Sequence, residues 1–126
     1  MGLGGDRWRG VMRRGEIVLV DLDPVLGAEA NKRRPVVIVS NDAANQTAER
    51  VGYGVITVVP VTSNIRRIYP FQVLLPATAT GLDADSKAQA EQIRSIAVQR
   101  VGRRIGAVPA SLLCVLDEAL RLHLAL

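Results

Sequence analysis

The sequence is poor in cysteine and histidine, and each shortage removes a class of chemistry. Cys114 is the only cysteine, so neither an internal disulfide nor a cysteine-rich metal site can form, and we expect this residue in the core rather than as a nucleophile. His123 is the only histidine, which excludes a nuclease with a pair of histidines as acid and base. No His, Asp and Glu grouping has metal-ligand spacing, and no Gly-rich phosphate loop is present. We therefore expect neither a metal nor a cofactor.

Long apolar runs are also missing. No segment approaches the roughly 18 apolar residues that a membrane span needs, and residues 1–11 have no apolar signal-peptide region. We expect residues 1–11 to be a flexible leader and residues 12–126 to be a single domain. These features predict a cytoplasmic protein without membrane contact.

Arginine dominates the charge. Fourteen of the sixteen basic residues are arginines, and the formal net charge is +4. The planar guanidinium fits phosphate with two hydrogen bonds, which favours a polyanionic partner over a merely solvated basic surface. The apolar fraction of 48% suggests a second buried surface, as in a homodimer.

Short apolar segments separated by turn residues predict a mainly β fold. We expect strands over about 16–22, 35–40, 54–62, 71–75, 86–97 (one or two strands) and 101–105. Pro60 predicts a bulge or an edge position in the third strand. Asn41 is expected to cap a short helical turn that ends near residue 48. This pattern is typical of a compact barrel with a C-terminal helix.

The terminal helix should begin near Pro109 and turn one apolar face inward. His123 falls within this apolar stripe, which predicts a core or interface histidine. Asp117 and Arg121 lie four residues apart, in the order that favours an ion pair along the helix.

Three short segments and one acidic loop residue contain the candidate functional side chains. Lys32-Arg33-Arg34-Pro35 precedes a buried strand, and Pro35 restricts Arg34 to an extended backbone, so the strand would hold Arg34 at a fixed point. Thr62-Ser63-Asn64 ends another strand and could bind phosphate or form an ordinary turn. Glu91-Gln92-Ile93-Arg94-Ser95 could act on a ligand or form a structural ion pair, and Glu29 is a general base or a simple loop acid.

Together, the ordered motifs resemble the MazF/PemK toxins of bacterial toxin–antitoxin pairs over residues 12–126. The matching segments are Arg14-Gly15-Glu16-Ile17, Asp21-Leu22-Asp23-Pro24, Gly27-Ala28-Glu29, Arg34 to Val39, Val59 to Ser63, Glu91 to Ser95 and Leu116 to Leu120. Each motif is short, but the complete ordered set is specific.

The resemblance implies an SH3-like barrel of the MazF/PemK/CcdB type, a homodimer that cuts single-stranded RNA without a metal. It implies catalytic roles for Arg34, Thr62 and Glu29. The implied substrate-binding residues are Lys32, Arg33, Ser63, Asn64, Arg66, Arg67, Glu91, Gln92 and Arg94. The implied partners are single-stranded RNA, chiefly messenger RNA, and an acidic MazE-like antitoxin.

One segment departs from part of the family. PemK-type members have an Arg-x-Asp pair where this chain has Gln89-Ala90-Glu91, so the chain is closer to the MazF branch. Two alternatives stay open at this point: a CcdB-like gyrase poison with the same fold and no ribonuclease activity, and a non-catalytic RNA-binding module.

Overall fold

A computed structural model describes residues 12–22 and 33–126. The predicted leader, together with Glu29 and Lys32, lies outside the described residues. Seven strands and three helices occupy the described part of the chain. The strands are β1 (Glu16–Val20), β2 (Arg34–Ile38), β3 (Val55–Thr62), β4 (Gln72–Leu75), β5 (Ser86–Gln89), β6 (Arg94–Ala97) and β7 (Val101–Ala107). The helices are α1 (Asp42–Val51), the single turn α2 (Ala77–Thr80) and α3 (Ala110–Leu124). This mainly β fold with a C-terminal helix confirms the predicted class.

The strands form one antiparallel sheet in which β3 is the central element. The order is β4-β5-β3-β2-β1-β7, and β6 pairs with the first half of β3. β2 pairs with β3 through Val36 opposite Pro60 and Ile38 opposite Val58. On its other edge, β3 pairs first with β6 and then, from Val61, with β5.

Pro60 shows how this central strand tolerates a proline. β3 is a central strand, so the predicted edge position is wrong for the sheet as a whole, and the register with β2 shows no shift up to its last pair, Val36 with Pro60. On the opposite edge, however, Pro60 lies between Val58, the last residue paired with β6, and Val61, the first paired with β5. A residue without an N–H donor therefore occupies the point where the partner strand changes.

Apolar residues alternate along the strands, and each face of the sheet buries its own cluster. One cluster lies under α3 and includes Ile17, Val37, Val59 and Leu116. The other lies under α1 and includes Val18, Val36, Val58 and Ala48. The strands β1, β2 and β3 thus supply both cores, which fixes the face on which each of their side chains lies.

The predicted cap of α1 is confirmed, because the Asn41 side chain accepts a hydrogen bond from the Ala44 N–H. The helix ends at Gly52, whose φ of 75° is a left-handed conformation that glycine adopts without strain. Both ends of the helix therefore follow from local residue chemistry.

Three predictions for α3 need correction. Cys114 is exposed, so its predicted core position is wrong. His123 is also exposed, which rules out the core and leaves the interface alternative, because the last turn of α3 extends past the apolar cluster. Asp117 pairs with Arg14 at 2.8 Å, and Arg121 pairs with Glu118 at 3.4 Å, so the predicted pair between Asp117 and Arg121 does not form.

Within residues 12–22 and 33–126, no helix is long and apolar enough to cross a membrane.

Candidate functional site

The register between β2 and β3 brings Arg34 and Thr62 together. The paired residues are Val36 with Pro60, Val37 with Val59 and Ile38 with Val58. Continuing this register by two residues places Arg34, the first residue of β2, opposite Thr62, the last residue of β3. Residues opposite each other in an antiparallel pair carry their side chains on the same face. The two strongest catalytic candidates, 28 positions apart in the chain, therefore share one end of the sheet.

Arg34 and Thr62 lie in a groove of about 730 Å³. Its walls come from β1, the start of β2, the end of β3, the segment after α2, and β7. The lining residues are Leu19, Arg33, Arg34, Pro35, Val61, Thr62, Ser63, Gly81, Leu82, Asp83, Ala84, Ser86, Arg103, Arg104 and Ile105. Four of these are arginines and one, Asp83, is an acid, so the groove attracts anions.

The Thr62 hydroxyl has a defined hydrogen-bonding role. Its oxygen accepts the Asn64 N–H at 3.2 Å, and the Asn64 side-chain oxygen accepts the Arg66 N–H at 3.3 Å. The turn reading of Thr62-Ser63-Asn64 is thus correct for Thr62 and Asn64. Because the Thr62 oxygen acts as acceptor in this turn, its O–H remains available to donate to a ligand in the groove.

Gly102 in β7 makes room for Arg33. A Cβ added at Gly102 would lie 2.6 Å from Arg33 Nη1 and 3.0 Å from the Leu19 carbonyl oxygen. The Arg33 guanidinium therefore packs directly on the backbone of β7, beside Arg34. The sequence shows the two adjacent arginines, but nothing in it indicates that a glycine about 70 residues later receives one of them.

Two further groove arginines, Arg103 and Arg104, were missed from the sequence. Arg104 donates to Glu16 Oε2 at 3.1 Å. Arg103 is exposed, and within the described part of the chain the structure records no hydrogen bond or ion pair for it. Arg103 is therefore, with Arg34, a groove arginine well placed to take a new anionic ligand. The only sequence signal for Arg103 is that it belongs to a pair of adjacent arginines within a predicted apolar strand.

The loop between β3 and β4 (residues 63–71, hereafter the β3–β4 loop) carries the other basic candidates. Arg66 is exposed. Arg67 donates to the Tyr69 hydroxyl at 3.2 Å, and its guanidinium carbon lies 5.6 Å from the Tyr69 ring centroid. Ser63 lines the groove, whereas Asn64, Arg66 and Arg67 lie along the loop that begins at the groove edge.

The Glu91–Ser95 candidates are placed outside the lining of the groove. Glu91 Oε2 accepts a hydrogen bond from Gln72 Nε2 at 2.8 Å, and Glu91 Oε1 is buried with no hydrogen-bond partner among the described residues. Gln92 is exposed on the short 3₁₀ turn between β5 and β6. Arg94 donates to the Leu22 carbonyl at 3.3 Å, as does Arg100 at 3.0 Å. In this chain the two arginines hold the backbone that follows β1.

Comparison with known proteins agrees with this geometry. The family model for the PemK-like, MazF-like toxin of type II toxin–antitoxin systems matches residues 13–124. This chain belongs to that family. It is 69% identical over 116 residues to endoribonuclease MazF9 of Mycobacterium tuberculosis, covering 92% of this chain and 98% of the relative. It is 32% identical over 117 residues to endoribonuclease EndoA of Bacillus subtilis, covering 92% and 97% of the two chains.

The fold matches as well. The toxin chain in a MazE–MazF crystal structure from Deinococcus radiodurans superposes with a TM-score of 0.72 at 28% identity, covering 93% of this chain and 99% of that chain. The predicted MazF/PemK resemblance and the MazF/CcdB-like fold are thereby confirmed. The gyrase-poison alternative is not favoured, because both relatives are named endoribonucleases.

Arg103→Ala should weaken binding of a single-stranded oligonucleotide, because one groove cation without a partner in the described structure is lost. The slope of log K against log salt concentration should fall by about 0.7, the value for one phosphate contact to a single strand. Titrations at several salt concentrations measure this slope. Arg50→Ala, on α1 and outside the groove, is the matched control and should leave the slope unchanged. Equal slopes for Arg103→Ala and the unmodified protein would contradict a ligand-binding role for Arg103.

Proposed function

We propose that this protein is a sequence-specific, metal-independent endoribonuclease that cuts single-stranded RNA, mainly messenger RNA, and so inhibits translation and growth. The observation that carries the proposal is the placement of Arg34 opposite Thr62 at one end of an arginine-lined groove. Endoribonuclease names on relatives that share almost the whole chain support it.

The attacking group comes from the substrate. The ribose 2′-oxygen forms a bond to the adjacent phosphorus, the bond from phosphorus to the 5′-oxygen breaks, and the 5′-oxygen takes up a proton. The products are a 2′,3′-cyclic phosphate and a 5′-hydroxyl. The protein then needs no nucleophile of its own, which suits a chain with one exposed cysteine and one exposed histidine. It must supply charge, hydrogen bonds and a fixed geometry.

Arg34 and Thr62 divide these tasks. The Arg34 guanidinium donates to the non-bridging phosphoryl oxygens, where negative charge grows in the transition state. The Thr62 hydroxyl donates to one of those oxygens, because its own oxygen already accepts the Asn64 N–H. Both side chains extend from ends of paired strands, and strands hold catalytic groups more precisely than loops do.

Proton transfer is assigned to Glu29 rather than to Glu91. The Glu91 carboxylate bonds to Gln72, and its second oxygen is buried away from the groove lining. Glu29 precedes the Arg33–Arg34 pair by only a few residues and is the remaining acid among the candidates. Its substitution by Gln should lower the rate without weakening RNA binding, because an amide cannot accept the 2′-proton.

The remaining arginines of the groove and of the β3–β4 loop attract and guide the phosphates of the RNA. Arg33 and Arg103 track the backbone within the groove, and Arg66 and Arg67 extend the basic path along the β3–β4 loop. Lys32, which lies outside the described residues, is proposed to add to this attraction of phosphates. Ser63 and Asn64 complete the proposed substrate-binding set at the groove, and Gln92 and Arg94 are proposed to contact RNA beyond the groove lining.

An acidic antitoxin is the proposed protein partner. Related toxins from Deinococcus radiodurans have been solved together with MazE. A flexible acidic segment would neutralise the groove arginines and compete with RNA for them.

The proposed assembly is a homodimer, because α3 exposes large apolar side chains. Val115 is 49% exposed, and Leu122, seven residues later on the same side of the helix, is 59% exposed. A second copy that covers this face would remove these side chains from water.

Leu122→Glu should weaken the dimer, because it places a charge within the proposed apolar contact. Sedimentation equilibrium measures the mass, which should fall toward the 13.6 kDa of one chain. Arg50→Gln, on α1 and away from α3, is the control and should leave the mass unchanged. An unmodified protein that sediments as a monomer would overturn the dimer.

Arg34→Ala should reduce the rate of RNA cleavage by about 100- to 1,000-fold, the usual loss when one transition-state donor is removed. The assay uses single-stranded RNA with excess chelator, and Arg50→Ala is the charge-matched control. Near-normal cleavage by Arg34→Ala would disprove its catalytic role. Absence of cleavage by the unmodified protein, combined with gyrase inhibition, would favour the gyrase-poison alternative instead.

A further inference from the structure

We propose that Lys87 is a positioning residue that fixes the β3–β4 loop and, through this loop, the RNA sequence that the protein prefers. The inference rests on the proposed endoribonuclease function and assigns part of its specificity to a residue outside the groove lining. Lys87 lies on β5, opposite Thr62 in the β3–β5 register. Its side chain is thus on the same face as the catalytic threonine, one strand away.

Lys87 is an unusual buried cation. It is 8% exposed, and its Nζ donates to the Arg67 carbonyl oxygen at 2.6 Å. The Tyr69 ring centroid lies 6.0 Å from the same nitrogen, at the outer range of a cation–π contact. Within the described ranges the structure records no ion pair between Lys87 and a carboxylate. Among the described residues, the recorded partners of this ammonium group therefore come from the β3–β4 loop.

The same loop is held at a second point by Gln72. The Gln72 side-chain oxygen accepts the Tyr69 N–H at 3.1 Å, and the Gln72 backbone N–H donates to the Tyr69 carbonyl at 2.8 Å. Gln72 is in turn held by Glu91. The Tyr69 and Phe71 rings stack with centroids 5.4 Å apart. Lys87 and Gln72 thus fix two consecutive parts of the loop, at Arg67 and at Tyr69.

Stability alone does not account for a lysine at this position. An apolar side chain of similar length would fill the same space without the cost of taking a charge out of water. What only the ammonium group provides is a strong donor for the Arg67 carbonyl. Removing that donor frees the middle of the loop while the sheet beneath it stays intact.

The loop is well placed to read bases. It starts at Ser63, directly after Thr62, so its conformation determines which groups stand next to the reacting phosphate. Its residues Ser63, Asn64 and Arg66 are exposed and chemically suited to contact base edges. Groups that discriminate between bases must be held within about 0.5 Å of their productive positions. A loop that Lys87 already holds in place meets this requirement, and no further conformational entropy of the loop is lost when RNA binds.

The test compares Lys87→Met with the unmodified protein in two measurements. Limited trypsin digestion followed by mass spectrometry gives the cleavage rate after Arg66 and Arg67, and sequencing of 5′ ends gives the RNA site preference. We expect trypsin cleavage in the loop to rise about tenfold or more, the factor that corresponds to one hydrogen bond to a charged group. Discrimination between the preferred RNA site and its single-base variants should fall by about the same factor.

Arg50→Met is the matched control, because it exchanges one cation for the same apolar side chain on α1, outside the groove. It should leave the loop digestion and the RNA preference unchanged. The midpoint of thermal unfolding is measured for each variant. All digestions are then run at one temperature well below the lowest midpoint, so that global unfolding does not contribute to the cleavage rate. If Lys87→Met does not fold, Lys87→Gln, which replaces the ammonium group with a neutral amide, is compared in the same way.

Two results would overturn the inference. Loop digestion equal to that of the unmodified protein would show that Lys87 does not hold the loop. Faster digestion with an unchanged RNA preference would show that the loop does not set specificity. If the unmodified protein cuts no RNA, the proposed function fails, and the digestion still decides separately whether Lys87 anchors the loop.

Discussion

The antiparallel register between β2 and β3 is the constraint on which the site depends. Val36 opposite Pro60 fixes which side chains of both strands face each core. A slip of one residue would turn every apolar side chain of one strand to the opposite face. Because each face buries its own apolar cluster, such a slip is strongly disfavoured. The same register places Arg34 opposite Thr62 at the end of the sheet, where β2 begins and β3 ends. Hydrophobic packing therefore determines the geometry of a polar pair at the edge of the sheet.

The groove around this pair collects charge from distant parts of the chain. Arg33 and Arg34 precede β2, whereas Arg103 and Arg104 belong to β7. Gly102 allows the Arg33 guanidinium to lie against β7, which brings the two arginine pairs close together. Such convergence suits a reaction whose nucleophile belongs to the substrate, because the protein then contributes mainly preorganised charge.

Features set by local chemistry were predictable from the sequence, and features set by register were not. The Asn41 cap followed from local capping residues, the strand segments from apolar patterns and turn residues, and the Arg34 and Thr62 candidates from family motifs. Cys114 was placed wrongly, because apolar residues occur around most of α3 and periodicity alone does not show which of them the sheet covers. For His123 only the core alternative was wrong, because the last turn of α3 extends past the apolar cluster. Gly102 and Lys87 gave no signal, and Arg103 was marked only as one of two adjacent arginines. Their roles arise only when β7 packs beside β1, and β5 beside β3, across long stretches of sequence.

The central claim is that this register makes Arg34 and Thr62 act on one transition state, and a double-mutant cycle tests it most directly. Single-turnover RNA cleavage is measured for the unmodified protein, Arg34→Ala, Thr62→Val and the double variant. Residues that act as a unit are strongly non-additive, so the double variant should lose much less than the product of the two single losses. A loss equal to that product would show that the two side chains act independently and would contradict the account.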